Sequence, residues 1–235
     1  MNVVHSQMEA DDRALQVLWG VAEPRARGPR ARRSVPEVAA AAVSLADEAG
    51  LEAVTLAAVA GRLGLTTTAL YRYVDTKESL LEILLDAALG GPPDELTGAT
   101  WQERVRVWTH ALTRRYARHP WLARIQPAGQ PRHPSLYAWL DALVTTVAHE
   151  PGIDGMRLGL LLDALVRAFA GLRAPAAAPP AWLGPALAAR HPALAGQLGR
   201  DWSDIDAEFD AALDVVLRGV DAQARAAREP GVGSS

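Results

Sequence analysis

The stretch from residue 54 to residue 77, VTLAAVAGRLGLTTTALYRYVDTK, decides the fold that we predict for this chain. Thr55 can cap a short helix, and Gly64 ends that helix in a form suited to a tight turn between two helices. Thr66 can cap the next helix, which places Leu70 on its inward side. Two short helices joined by a glycine turn form a helix-turn-helix.

Further helices are predicted on both sides of this stretch. The run Ser34-Val35-Pro36-Glu37 has the spacing of a capping box, so a helix begins there, and Gly50 supplies its C-terminal stop. Thr76 can cap a helix that packs its leucines inward and ends before the break at Gly90-Gly91-Pro92-Pro93. The helix-turn-helix is therefore braced by a helix on either side.

The rest of the chain also reads as helices separated by proline and glycine. Apolar periodicity predicts helices over about 101–118, 134–149, 154–173 and 204–228, and no stretch alternates convincingly with period two. We therefore predict an all-α fold in four parts. They are a flexible N-terminal extension with an arginine-rich arm over 1–33, a helix-turn-helix DNA-binding domain over 34–90, a regulatory and dimerisation domain over 100–228, and a disordered tail over 229–235.

Composition excludes several classes of function. The 235 residues carry a net charge of −3 and contain no cysteine, so disulfides and cysteine-ligated metals are excluded. No apolar run approaches the roughly 18–20 residues that cross a bilayer, and the start of the chain lacks the pattern of a signal peptide. We expect a cytoplasmic protein without a membrane partner. The usual catalytic motifs and close metal-ligand spacings are missing, so we predict no enzyme, catalytic residue, cofactor or metal.

Lys77 is the only lysine among the 24 basic residues. It stands in the first turn of a predicted helix, where the helix macrodipole disfavours a cation by about 0.3–1 kcal/mol. A phosphate at this position would be attracted both by the ammonium group and by the helix N-terminus. Residues 24–77 also carry eight basic against five acidic side chains, which indicates one basic surface on an acidic chain. We predict that Lys77 contacts a DNA phosphate.

The second helix of a helix-turn-helix can enter a major groove about 12 Å wide and bring its N-terminal side chains to base edges. Three consecutive threonines suit this position, because they are short and carry both a hydroxyl and a methyl group. For Arg72 a solvated helix face is nearly as good an interpretation, and the arginine-rich arm can equally be a basic linker. The predicted DNA-binding residues are Thr55, Thr66, Thr67, Thr68, Tyr71, Arg72, Tyr73 and Lys77, with Arg30, Arg32 and Arg33 from the arm.

The region from Ser34 to Leu89 resembles the N-terminal domain of the TetR family of bacterial transcriptional repressors. The resemblance implies a homodimer, a (pseudo)palindromic double-stranded DNA operator, and a helical C-terminal domain that binds a small-molecule effector and then releases DNA. Two features depart from the family: Leu56-Ala57-Ala58 is apolar where a basic residue is frequent, and Tyr73 replaces a frequent histidine. The matching residues are Ala46-Asp47-Glu48-Ala49-Gly50-Leu51, Thr55, Val59-Ala60, Leu63-Gly64-Leu65, Ala69-Leu70-Tyr71-Arg72-Tyr73-Val74 and Lys77-Glu78-Ser79-Leu80-Leu81.

The C-terminal helices predict the dimer interface. The stretch 154–173 has more apolar surface than one core face requires, and two helices from each subunit would form a four-helix seam. The predicted interface residues are Leu158, Leu161, Leu162, Leu165, Phe209, Leu213, Val216 and Leu217. Ligand pockets are mostly apolar, so some aromatic residues are candidates to line one, although these residues can equally belong to an ordinary core. These candidates are Trp108, Trp121, Tyr137, Trp139 and Phe169.

Two other functions remain open from the sequence. The first is a TetR-like activator or global regulator that responds to no small molecule. The second is a helical enzyme or ligand carrier with an incidental helix-turn-helix, which would bind DNA no tighter than about 10⁻⁴–10⁻⁶ M and without sequence preference.

Overall fold

The computed structural model describes residues 13–22, 33–125, 132–173, 180–195, 197 and 204–228. Within these residues all regular structure is helical, and no helix has the length and apolar character that a membrane span requires. Two 3₁₀ turns occur at Leu51–Ala53 and Pro120–Arg124. The helices are α1 (Arg13–Leu18), α2 (Val35–Ala49), α3 (Leu56–Arg62), α4 (Thr67–Leu70), α5 (Lys77–Leu89), α6 (Trp101–Arg118), α7 (Pro134–Val147), α8 (Gly155–Leu172), α9 (Leu183–Arg190), α10 (Pro192–Ala195) and α11 (Ile205–Arg228).

Helices α2 to α5 form what we call the head, and each of them begins at a polar residue whose side chain caps it. The Ser34 hydroxyl accepts a hydrogen bond from the Glu37 amide at 3.4 Å at the start of α2. Three threonines cap α3, α4 and α5 in the same way, as the sequence predicts. They are Thr55, which accepts from Ala58 N at 3.1 Å, Thr66, which accepts from Ala69 N at 3.2 Å, and Thr76, which accepts from Ser79 N at 3.0 Å.

The turn between α3 and α4 depends on Gly64. Its φ of +67° lies in the left-handed region, where the backbone of a residue with a side chain would be strained. The head closes around a single apolar cluster in which Val59, Leu70 and Val74 are fully buried. Because Leu70 and Val74 anchor one side of α4 and the turn after it, the opposite side of that helix faces solvent.

Helix α1 corrects part of the predicted N-terminal extension. Leu15 is buried, and α1 packs against α2 and α5. Farther along, Trp19 Nε1 donates to the Arg132 carbonyl at 2.7 Å, and its ring lies 5.6 Å from the ring of Tyr137. Residues 13–22 are therefore part of the fold rather than a flexible extension, because Ala14 and Leu15 are buried and Trp19 is hydrogen-bonded to Arg132 of the body. The predicted arm, except for Arg33, and the tail over 229–235 lie outside the described residues.

Helices α6 to α11 form the body. Helices α6, α7 and α8 pack on one another, and α11 packs on α8. Gly155 permits the close approach of α8 to α7, since a Cβ atom there would lie 2.9 Å from the Cα of Val144. The largest buried side chains include Trp108 and Trp139, whose rings meet edge to face with their centroids 5.5 Å apart.

The head and the body are joined through α5. Asp86 accepts a hydrogen bond from the Ser135 amide at 2.8 Å, and the Gly90 carbonyl accepts one from Trp139 Nε1 at 2.8 Å. Both acceptors belong to α5 or its C-terminal cap, and both donors belong to α7. A shift of α7 therefore acts directly on the last helix of the head.

Candidate nucleic-acid interface

The N-terminal end of α4 presents hydroxyl groups to solvent. Thr66, Thr67 and Thr68 are all exposed, and Thr66 also caps the helix. Thr67 and Thr68 have no side-chain hydrogen-bond partner in the part of the chain that the structure describes. Their hydroxyl and methyl groups are thus available to base edges, which is the chemistry that a major groove can read.

The side chains that follow α4 divide between solvent and the core. Tyr71 is 47% exposed, and Arg72 is exposed without a partner among the described residues. Tyr73 is half-buried and packs against the core, while Val74 is fully buried. Tyr71 and Arg72 are therefore placed to reach a nucleic acid together with Thr67, whereas the ring of Tyr73 is partly used for packing.

Lys77 is the first residue of α5, directly after the cap residue Thr76. Its side chain is exposed and has no ion-pair partner within the described residues. Lys77 thus lies in the first turn of α5, where backbone amides have no partner inside the helix. A helix N-terminus and an ammonium group together are a combination that favours an anion, so a phosphate contact by Lys77 stays a prediction.

Arg62, the second arginine of the head besides Arg72, is held in an ion pair at the protein surface. Arg62 Nη1 donates to Glu48 Oε1 at 2.6 Å, which links α3 to α2. Hydrogen bonds from Arg62 and then Ser44 lower the pKa of Glu48 to about 2. Arg62 is thus committed to the structure of the head.

Arg33 lies where the predicted arm meets α2. Its Nη2 donates to the Leu63 carbonyl at 3.1 Å, and its Nη1 donates to Glu37 at 3.2 Å. A DNA contact by Arg33, as predicted, competes with these bonds to the helix-turn-helix. Arg30 and Arg32, the other two predicted arm contacts, lie outside the described residues.

A carboxylate that the sequence did not single out connects the head to the body. Asp47 Oδ1, near the end of α2, accepts from His119 Nδ1 at 2.8 Å and from Trp121 Nε1 at 2.7 Å. The two donors are buried in the turn that follows α6. No local pattern could reveal this contact, because the partners are 72 and 74 positions apart in the chain.

Two cavities flank the C-terminal half of α6 and share Arg114, and we call the pair the arginine cleft. The larger has a volume of about 500 Å³, lies between α6, the end of α8 and the start of α11, and is lined by His110, Thr113, Arg114, Ala117, Arg173, Asp206, Phe209 and Asp210. The smaller, of about 260 Å³, is lined by Gly91, Pro92, Pro93, Ala111, Arg114, Arg115, Arg118 and Trp139. The larger cavity falls in the size range of small-molecule sites.

The predicted ligand-lining aromatics are mainly structural. The indole N–H groups of three of them donate to fixed protein acceptors: Trp108 to the Trp139 carbonyl at 2.8 Å, Trp139 to Gly90, and Trp121 to Asp47. Tyr137 lies against Trp19, and Phe169 meets Phe209 with ring centroids 5.4 Å apart. Trp139 borders the smaller cavity, whereas Trp108 and Trp121 border neither, and a ligand contact by these aromatic residues stays a prediction.

The predicted dimer interface requires a correction. Five of its residues are buried within the subunit and cannot form a surface between subunits: Leu158, Leu162, Phe209, Leu213 and Leu217. Leu165 and Val216 are half-buried, and Leu161 is 48% exposed. The predicted stripes are therefore mainly the core-facing sides of α8 and α11.

The opposite sides of the same two helices carry a second, exposed apolar surface, which we call the α8/α11 face. Its largest members are 48–64% exposed: Leu160, Leu161, Leu172 and Val215. Exposed alanines continue it, namely Ala164 and Ala168 on α8 and Ala207, Ala211 and Ala222 on α11. Exposed leucine and valine side chains on two helices that pack together indicate an interaction site.

An exposed short helix with free hydroxyls, an adjacent unpaired lysine and a separate helical body define the class of helix-turn-helix DNA-binding regulators. Residues 38–84 match the model of a protein family whose description is "Bacterial regulatory proteins, tetR family". An HTH-type transcriptional regulator of Saccharopolyspora erythraea is 30% identical over 207 residues, which cover 80% of this chain and 84% of that protein. The chain belongs to the TetR family.

A second relative is the HTH-type transcriptional repressor DrrR1 of Streptomyces coeruleorubidus. It is 31% identical over 137 residues, which cover 57% of this chain. The matching stretch spans about half of that repressor, 51% of its length. The likeness to DrrR1 therefore concerns only part of each protein.

Solved structures show the same fold. ActR from Streptomyces coelicolor, in complex with (S)-DNPA, superposes with a TM-score of 0.70 at 24% identity, covering 83% of this chain and all of ActR. The TetR-family regulator SCO7222 of the same organism gives a TM-score of 0.61 at 26% identity, covering 81% of this chain and 99% of that chain. The helical head and body are thus a shared architecture.

Proposed function

We propose that this protein is a transcriptional repressor that binds a DNA operator through α4 and leaves it when a small molecule binds to the body. The observation that carries the proposal is the exposed set Thr67, Thr68 and Tyr71 beside the unpaired Lys77. The name of DrrR1 favours repression over activation. ActR, which has the same fold, has been solved with (S)-DNPA and with actinorhodin, and this supports a response to a small molecule.

The functional unit that we propose is a homodimer joined through the α8/α11 face. Two copies of that face would bury leucine and valine side chains that a lone subunit leaves in water. A two-fold axis between the subunits would present two α4 helices to two half-sites, so the operator is expected to be (pseudo)palindromic. Neither an activator without an effector nor a helical enzyme or ligand carrier is supported by a specific feature of the described residues.

A reporter assay tests repression directly. The DNA upstream of the protein's own gene is placed before a reporter gene in a bacterial host, and the protein is supplied from a second promoter. We expect the reporter signal to fall when the protein is made. The double variant Thr67→Ala/Thr68→Ala, whose substitutions lie at exposed positions, should not lower it. An increase in reporter signal would indicate an activator. If the double variant represses as strongly as the parent, α4 does not recognise the DNA sequence through these threonines.

Lys77→Ala is expected to weaken binding to all DNA sequences by a similar factor. The variant loses one phosphate contact, so the slope of log K against log salt concentration should decrease by about one unit. Fluorescence anisotropy with labelled DNA at several salt concentrations measures this slope. Lys77→Arg is the matched control and should retain the parent's slope. If Lys77→Ala shows the same slope of log K against log salt concentration as the parent, Lys77 does not contact a phosphate.

Thr68→Ala is expected to change sequence preference rather than general affinity. Loss of a hydroxyl at a base edge should reduce discrimination at one base-pair position by about 1–3 kcal/mol, while the salt dependence remains that of the parent. Competition binding against a set of operators with single base-pair changes measures the effect. Thr145→Ala, which removes an exposed hydroxyl of α7 in the body, provides the comparison. A profile identical to that of the parent would count against base reading by Thr68.

A further inference from the structure

Trp19 follows the last residue of α1, and the backbone there holds it in a defined place. The Gly20 amide donates to the Val17 carbonyl at 3.0 Å. The Val21 amide donates to the Gln16 carbonyl at 2.9 Å. These are the two hydrogen bonds of a Schellman motif, which ends a helix in a fixed geometry. The backbone of Trp19 is therefore fixed relative to α1.

Helix α1 moves with the head, because its apolar side chains are buried there. Ala14 is 1% and Leu15 is 3% exposed, and α1 packs against α2 and α5. Both of these helices belong to the head. Exposing the two side chains again would cost free energy, so α1 stays attached to the head and carries Trp19 with it.

The side chain of Trp19 contacts the body instead. Its Nε1 donates to the Arg132 carbonyl at 2.7 Å, just before the start of α7. Its ring lies 5.6 Å from the ring of Tyr137, which belongs to α7. One hydrogen bond and one aromatic contact therefore connect head and body through a helix that lies outside the helix-turn-helix.

This contact is one of three between the head and the body. Helix α5 holds α7 through Asp86 and Gly90, and α2 holds the turn after α6 through Asp47. With the α5 connection alone, the head could tilt on the body about that helix. Contacts from α1 and α2 restrict the tilt, because they join the same two units through different helices. The head is thus held in one orientation.

The orientation of the heads decides which DNA a dimer can bind. One additional base pair between two half-sites moves the second half-site by about 3.4 Å along the DNA axis and turns it by about 35°. Heads that are fixed on their bodies cannot follow this change. Heads that tilt can follow it in part. The selectivity of a dimer for half-site spacing therefore depends on how firmly each head is held.

We propose that Trp19 is a positioning residue that sets the half-site spacing which the dimer accepts. The contacts of its indole with Arg132 and Tyr137 keep the head in the orientation that matches one spacing. The proposal rests on the proposed function, since half-site spacing has a meaning only for a dimer on DNA. It goes beyond that function because it assigns selectivity for DNA to a residue outside the helix-turn-helix.

Fluorescence anisotropy with labelled operators that differ only in half-site spacing tests the proposal. The parent should bind its preferred spacing at least about tenfold more tightly than operators with one base pair added or removed. Trp19→Ala should reduce this ratio to about threefold or less, because its heads can tilt. Trp19 is 46% exposed, so the substitution need not disturb the core. A loss of stability alone would weaken binding to all spacings alike and leave the ratio unchanged.

Two further variants control the experiment. Tyr137→Ala removes the aromatic contact from the side of the body and should also lower the ratio. Trp182→Ala is the matched control, because Trp182 is 67% exposed and lies just before α9, and it should retain the parent's ratio. The proposal is overturned if the parent binds all spacings equally, if the ratio in Trp19→Ala stays above about threefold, or if Trp182→Ala lowers it as much.

A second measurement needs no DNA. The chain contains no cysteine, so Thr68→Cys introduces a single site for a nitroxide spin label on α4. Double electron–electron resonance between the two labels of a dimer then gives the distribution of distances between the heads. Trp19→Ala should widen this distribution, whereas Trp182→Ala should leave it unchanged. Equal widths in the parent and in Trp19→Ala would contradict the role of Trp19 in holding the head.

The two measurements separate this proposal from the proposed function. If the parent binds no specific DNA sequence but Trp19→Ala widens the distances, the proposed function and the claim on spacing fail, while the role of Trp19 in holding the head stands. If the parent binds an operator with one preferred spacing and Trp19→Ala keeps that selectivity, only the role of Trp19 fails. A parent that gives no distance between labels is not a dimer and refutes both.

Discussion

The double variant Leu161→Glu/Val215→Glu is expected to be a monomer at concentrations where the parent is a dimer. Leu161 is 48% and Val215 is 64% exposed in the isolated subunit, so the substitutions need not disturb the core. In the dimer, the two-fold axis would bring four uncompensated carboxylates into an apolar seam. Burial of an unpaired charge is strongly unfavourable, and the dimer should therefore dissociate.

Loss of the dimer should also remove most of the operator affinity. A dimer holds its second head near the second half-site at an effective concentration that raises affinity by about 10²–10⁴-fold over one head. The double variant should lose a factor of this order, although its heads are unchanged. Light scattering gives the mass, and anisotropy with operator DNA gives the affinity.

Leu194→Glu is the matched control for this variant. Leu194 is 50% exposed, comparable to Leu161, but it belongs to α10 and lies outside the α8/α11 face. The control should remain dimeric and bind operator like the parent. A soluble, folded double variant that is still a dimer would refute the α8/α11 face as the dimer interface.

Asp47→Ala is expected to lower the free energy of unfolding by roughly 2–6 kcal/mol. The substitution leaves two buried donors, His119 Nδ1 and Trp121 Nε1, without their acceptor, and each unsatisfied donor costs roughly 1–3 kcal/mol. The midpoint of urea unfolding should therefore fall. Asp47→Asn retains a side-chain carbonyl oxygen as an acceptor, so we expect a smaller loss from it.

Glu52→Ala provides the comparison for an exposed contact between the same two regions. Its partner is Arg124 at 2.9 Å, and both side chains are mostly exposed. Such a pair contributes roughly 0–1 kcal/mol. Equal unfolding midpoints for Asp47→Ala and Glu52→Ala would show that the buried contact between head and body contributes no more than a surface ion pair.

The head could be predicted closely from the sequence because its signals are local. The capping residues Thr55, Thr66 and Thr76 act on amides three positions later, and Gly64 sets its own backbone angle. The apolar side chains of Leu70 and Val74, which the sequence already places inward, fix which side of α4 is exposed. For this reason the positions of Thr67 and Thr68 were predictable without tertiary information.

The body was predictable in its helices but not in its surfaces. A repeat of 3.6 residues identifies an apolar stripe on each helix, with Leu158 and Leu162 on α8 and with Phe209 and Leu213 on α11. The repeat does not show whether a stripe packs inside the subunit or against a second subunit. The structure shows that these residues pack inside the subunit, and that the exposed face combines Leu161, which was predicted for the interface, with Leu160 and Val215, which were not.

The two cavities of the arginine cleft could not be predicted from the sequence, for a related reason. Aromatic residues were chosen as candidates, yet their indole N–H groups are satisfied by acceptors far away in sequence, such as Gly90 for Trp139. The cleft instead combines α6 with the ends of α8 and α11. Only the tertiary fold brings Arg114 and Arg173 to one cavity, and arginine is so frequent in this chain that its sequence positions carry no signal.

Selection of binding sites from a pool of random double-stranded DNA tests the central claim most directly. The purified protein is used as the dimer, and the enriched sequences are compared. We predict an inverted repeat whose half-site centres lie about one helical turn apart, about 10 base pairs, or a multiple of it. The variant Thr67→Ala/Thr68→Ala should lose this enrichment. A pool without an enriched sequence, or affinity no better than about 10⁻⁶ M for every sequence, would contradict the claim.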